Sequence, residues 1–207
     1  MTVIRFSRPV PAAPANEAAP AAASEDALCQ FAEESYTAAL GELADPEPFA
    51  SYRAVAQLSG HLAVMRRAVL PAARHWLDGD RALPADCLAQ ARQTEWALRL
   101  LEGRLAGEAC SARRTFDSVT ARLEHCLGRY RGTERALLAA LRDKMPGHEH
   151  DRLARHCRAL LPAAPTRPHP RSPRGRVPAM LAFRFLGGWD RLMDEMDSRP
   201  GPRREKS

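Results

Sequence analysis

The chain has 207 residues, a formal net charge of +6, 45% hydrophobic residues and only 6% aromatics. Its middle is long enough to bury one core, and the scarcity of aromatics fits a core of Leu, Ala and Val on helices. The charge is almost wholly arginine, the lysines being Lys144 and Lys206, and it is spread along the chain rather than gathered on one face. Such dispersal speaks against a dedicated nucleic-acid binder.

Five scattered cysteines (Cys29, Cys87, Cys110, Cys126, Cys157), odd in number and without CxxC spacing, argue against a disulfide framework or zinc ribbon. They fit a reducing compartment, and a cytoplasmic location is expected. Pro9, Pro11 and Pro14 interrupt any apolar run near Met1, so no signal peptide is expected, and no run approaches a membrane span.

Residues 1–23 are rich in Ala and Pro with no apolar period, which predicts a disordered tail. Ser24-Glu25-Asp26 then supplies a helix start, and Leu28, Phe31, Ser35, Ala38/Ala39 and Leu43 a first apolar stripe ending at Asp45-Pro46. A second helix is expected from about Pro48 to Leu77. Val55, Leu62, Val69 and Trp76 recur every seven residues along it, with Leu58, Met65 and Ala72 as companions. That repeat suits packing at a shallow angle in a bundle, and Pro71 should bend the helix.

A third helix is expected from Leu83-Pro84 to Gly107, lined by Leu88, Ala91, Glu95, Leu98, Leu101 and Leu105. The fourth runs from about Ser111 to Met145. Its rows are Phe116, Leu123, Tyr130, Leu137 and Val119, Cys126/Leu127, Leu141, and Pro146-Gly147 stops it. A shorter accessory helix spans His150 to Leu161. Residues 162–176 form a Pro/Arg-rich extended linker, since the residue before each proline avoids helical angles. Residues 177–198 form a last amphipathic helix, and 199–207 a loose basic tail. No segment alternates as a strand does. The architecture is all-α: an up-down-up-down four-helix bundle over residues 24–161 with additional C-terminal helices.

His61-Leu-Ala-Val-Met-Arg-Arg-Ala-Val-Leu-Pro71 resembles the second helix of hemerythrin-like domains of the HHE cation-binding type, which carry a histidine, a glutamate four residues on, and a proline about ten after the histidine. The resemblance implies a four-helix bundle holding a non-haem di-iron centre with His and carboxylate ligands. Met65 stands where the glutamate would be. The family's second His-x-x-x-Glu falls on Tyr130 and Glu134, so the glutamate is kept and the histidine replaced. Residues 25–44 contain no histidine, and the third helix offers Arg92, Gln93 and Glu95 instead of one. The Pro-Thr-Arg-Pro-His-Pro segment also resembles an extension of bacterial hemerythrin-like proteins.

A di-iron site needs several imidazoles and bridging carboxylates from facing helices. His61, Tyr130 and Glu134 are the metal candidates that remain, and they could hold at most a single ion. Their plainer roles are a bundle histidine hydrogen-bonded across the seam, a packed tyrosine, and a glutamate paired with an arginine such as Arg92. His148-Glu149-His150 with His156 reads as a solvated turn, Glu124-His125 as surface, and Asp190, Asp194 and Asp197 as a solvated helix face.

The leading reading is therefore a non-catalytic binding or regulatory module with a degenerate di-iron site, without cofactor, acting through a protein partner or self-association. One alternative is an iron-binding protein handling oxygen, nitric oxide or iron through a reduced site. Another is an arginine-driven binder of nucleic acid or acidic protein. The helix at 177–198 is expected to fold back on the bundle. Peripheral membrane contact is the less favoured role, because Gly187-Gly188 weakens it as an amphipathic anchor.

Overall fold

A computed structural model describes residues 26–45, 47, 49–108, 114–168, 190 and 193. The expectations for residues 1–25, Pro46, Pro48, Cys110, Ser111, 169–176, 199–207 and most of 177–198 lie outside them. Every regular element among the described residues is helical. No helix among the described residues is long and apolar enough to cross a membrane.

α1 spans Ala27–Ala44. Asp26 caps it, its Oδ1 accepting the Leu28 and Cys29 N–H groups at 3.1 Å each. The apolar stripe is rotated slightly from the expected one. Tyr36 is buried at 1% exposure, whereas the Ser35 hydroxyl turns back to the Phe31 carbonyl at 2.9 Å.

α2 spans Ala50–Val64, and α3 spans Leu70–Trp76. Between them Met65–Val69 form one π-helical turn, in which the Leu70 N–H reaches the Met65 carbonyl. This turn is how the helix accommodates Pro71. A proline ring lacks the N–H for an α-helical bond and crowds the carbonyl four residues back, and a widened turn ahead of it relieves that crowding. The seven-residue seam survives on both sides: Val55, Leu62, Met65, Val69 and Ala72 are buried, with Leu70 and Ala73 joining beyond the turn.

α4 spans Ala82–Leu105 and ends in a two-bond left-handed cap. The Glu108 N–H reaches the Gly103 carbonyl at 2.8 Å and the Gly107 N–H reaches Arg104 at 3.3 Å, with Gly107 at φ 71°. α5 spans Phe116–Lys144, starting five residues later than expected because the Thr115 side chain caps it on the Ser118 N–H. Phe116, expected in a core row, is 42% exposed in that first turn; Leu123, Tyr130 and Leu137 hold the row without it.

α4 and α5 make the most extensive pairing, followed by α1 with α2. α4 and α5 run antiparallel, Thr94 Oγ1 donating to the Cys126 carbonyl at 3.3 Å and Arg104 Nε to Arg114 at 3.1 Å. At the α1–α2 corner the guanidinium of buried Arg53 donates to Glu42 at 2.7 Å and also binds Glu47. α6, Gly147–Leu160, packs on α1 and the π turn and places Leu153, Ala154 and Cys157 in the common core. It is part of the core rather than an accessory to it.

Beyond α6 the chain makes a short 3₁₀ turn at Leu161–Ala163, where an extended stretch was expected from Pro162 onwards. Ala164 is extended, and Ala164, Pro165, Thr166 and Pro168 are all buried.

The cap at Gly107 is conformational rather than steric, since nothing lies within 4 Å of a Cβ built there. Gly107→Ala should lower stability by about 1 kcal/mol in urea unfolding. An unchanged midpoint would mean that this cap contributes nothing.

Candidate functional site

The helices that carry the sequence-derived candidates bring them together on one carboxylate. His61 of α2 is fully buried, and its Nε2 lies 2.7 Å from Oε1 of Glu134 on α5. Tyr130, one turn before Glu134 on the same face, donates its hydroxyl to Oε1 at 3.1 Å. The other oxygen, Oε2, accepts a short hydrogen bond from the Tyr36 hydroxyl of α1. Glu134 itself is 1% exposed. His61, Tyr130 and Glu134 thus form one cluster, and the arginine partner expected for Glu134 is replaced by two phenols and an imidazole.

Tyr36 is the member that sequence reasoning missed. The helical spacing from Ala32 and towards Ala39 places it inward, and choosing Ser35 for that row hid it. The first helix, which lacks the histidine the resemblance asks for, contributes a phenol to the same place. Arg131 stands over the Tyr36 ring, its Cζ 4.6 Å from the centroid, and its NH2 donates to Glu33 at 2.7 Å.

The rings around His61 leave little freedom. It stacks on Phe31 at 5.5 Å with 29° between planes and lies 4.9 Å from Tyr36 and 6.4 Å from Tyr130. Its Nδ1 is buried without a hydrogen-bond partner. A bare lone pair is cheaper to bury than an orphaned N–H, so the favoured tautomer carries its proton on Nε2 and donates it to Glu134. Met65, one turn further along, is 2% exposed among the apolar residues.

Burial first, and then the Glu134 charge, push the Tyr36 and Tyr130 phenols well above their ordinary range. Burial likewise pushes the Cys87 and Cys157 thiols up to about 12. At neutral pH these groups are protonated, so the phenols act as hydrogen-bond donors and not as phenolate ligands.

This donor set does not fit a di-iron centre. It offers one imidazole, and both oxygens of its one carboxylate are taken by protonated donors. Among the described residues no group of three His, Cys, Asp or Glu side chains is arranged to hold a metal ion. Glu95, the acid expected near the centre of the third helix, is turned to Arg66 of the π turn, which binds it through both nitrogens at 3.2 and 2.5 Å.

The remaining candidates divide. Glu124 and His125 are exposed, as expected of a surface pair. His148 is exposed too, but His150, expected in a solvated turn, lies buried in the first turn of α6 with Nε2 3.3 Å from Asp26 Oδ1. Cys29 donates to the other oxygen of Asp26 at 3.1 Å, and burial, then that hydrogen bond, push its thiol up to about 12. Asp190, expected on a solvated face, is 1% exposed and accepts the Arg167 backbone N–H at 3.0 Å. Asp194 and Asp197 lie outside the described residues. Cys29, Cys87, Cys126 and Cys157 are free thiols.

Comparison with protein-family models, curated proteins and solved structures finds no match for this chain.

The two buried phenols make stability depend on alkali in a defined sense. Their folded pKa values are raised, so the unfolded chain releases these protons first. Their contribution is complete below about pH 10 and is lost as pH rises above it, by up to about 1.4 kcal/mol per pH unit for each phenol. Urea unfolding between pH 9 and 11 should show this decline. Replacing both (Tyr36→Phe with Tyr130→Phe) should make it shallower, leaving the share of the raised Cys29, Cys87 and Cys157 thiols, while lowering stability at pH 8; parallel curves would contradict the burial.

Proposed function

We propose that this chain is a hemerythrin-like helical bundle, with α1, α2–α3, α4 and α5 in up-down-up-down order, whose metal position is taken by a closed hydrogen-bond cluster. It then acts as a non-catalytic binding or regulatory module, through a protein partner or self-association, in the cytoplasm. The His61-to-Pro71 spacing supports the family, and short connections between long helices support the topology.

The observation that carries the reading is the state of Glu134. The carboxylate that the resemblance puts among the iron ligands instead accepts Tyr36, Tyr130 and His61. Substituting Tyr for one histidine and Met65 for a glutamate removes ligands and leaves a buried acid. That acid would be costly without donors, and phenols supply them. Such a cluster fixes how the helices pack without needing a metal ion, so the working surface of the protein lies elsewhere.

A reduced iron site is the second reading, and the buried Nδ1 of His61 is the observation that favours it. Metal analysis separates the two on protein purified without a His-tag and incubated with ferrous iron. The closed cluster predicts substoichiometric iron and an unchanged melting temperature. Stoichiometric iron that disappears in His61→Ala would overturn it.

A further inference from the structure

Beyond α6 the chain is proline-rich, and prolines cannot donate backbone hydrogen bonds. Between Pro165 and Pro168 only Thr166 and Arg167 have N–H groups. The Arg167 N–H is taken by Asp190, 23 positions later. The Arg167 side chain reaches α4, its Nε 3.9 Å from Glu102 Oε1 near the end of that helix. Asp190 and Glu102 are both buried, at 1% and 5% exposure.

The first part of the same stretch rests on α2. A Cβ built on Gly60 would meet Ala164 Cβ at 3.4 Å, Leu161 Cδ1 at 3.5 Å and the Pro165 carbonyl at 3.8 Å. Glycine at that position lets residues 161–165 lie directly against the helix, one residue from His61. A carboxylate is expensive to bury, and here it satisfies a backbone donor that the neighbouring prolines leave with few alternatives.

The geometry points to a latched strap: Asp190 holds residues 161–168 closed over the Gly60 face of α2, and loss of that carboxylate opens the strap while the helices stay packed. The proposal rests on two contacts at different points of the strap, Asp190 at Arg167 and Gly60 at residues 161–165. It does not depend on whether the buried cluster descends from a metal site. Opening would uncover α2 beside His61, so the strap controls access to the helix on which the cluster is built.

Hydrogen–deuterium exchange on the full chain tests this, read peptide by peptide. Asp190→Ala should raise exchange in residues 161–168 by at least about tenfold while α4 and α5 keep their protection. Asp190→Asn, which retains a carbonyl acceptor, should keep part of the protection. Gly60→Leu should lift the same residues with Asp190 intact. Unchanged exchange at 161–168 in Asp190→Ala would overturn the latch. Equal loss of protection across α4 and α5 would overturn it as well, because the stretch would then be an inseparable part of the core.

Discussion

A carboxylate that is almost wholly removed from water has to be paired, and the arrangement of the helices around Glu134 follows from that need. An ion of this kind costs several kcal/mol to desolvate unless hydrogen bonds replace its water. Three donors do so, from α1, α2 and one turn earlier in α5. They can meet only if those helices hold one register with respect to one another. Apolar rows bring helices together with some latitude in sliding; a buried acid with directional donors narrows that latitude.

The rest of the core is arranged in keeping with this. The π turn lets the helix carrying His61 continue past Pro71 with its seam still facing inward. Arg66 on that turn binds Glu95 of α4, and Arg53 binds Glu42 at the α1–α2 corner, so each buried acid meets a partner on another element or across a turn. The cluster has the chemistry of a structural clip. Its phenols and the nearby thiols are protonated by burial, and its imidazole is committed to the carboxylate.

Much of this was legible in the sequence, and what was not has physical reasons. Heptad rows on the second and fourth helices report burial directly and include Tyr130, whereas the grouping of His61, Tyr130 and Glu134 rested on the family resemblance. Tyr36 was hidden because adjacent positions 35 and 36 differ by only 100° on a helix, and polar Ser35 fitted the weaker stripe. Phe116 was misplaced because a row says nothing about where a helix starts; the Thr115 cap decides that. Asp190 and His150 were read as solvated because their partners, Arg167 and Asp26, are remote in sequence. Composition likewise marked 162–176 as a linker, although small side chains and Gly60 allow its first residues, 162–168, to pack. Met65 at the position where the resemblance expects a glutamate was visible at once, whereas the phenols gathered on Glu134 could be seen only in three dimensions.

The central claim is that His61 and Glu134 act as one unit, and a double-mutant cycle measures that directly. His61→Leu and Glu134→Leu each leave buried donors or an acceptor without their partner, and the double variant removes the pair. The account predicts that the double variant loses less urea-derived stability than the sum of the two single losses, by at least about 1.5 kcal/mol. Losses that add to within about 0.5 kcal/mol would contradict it.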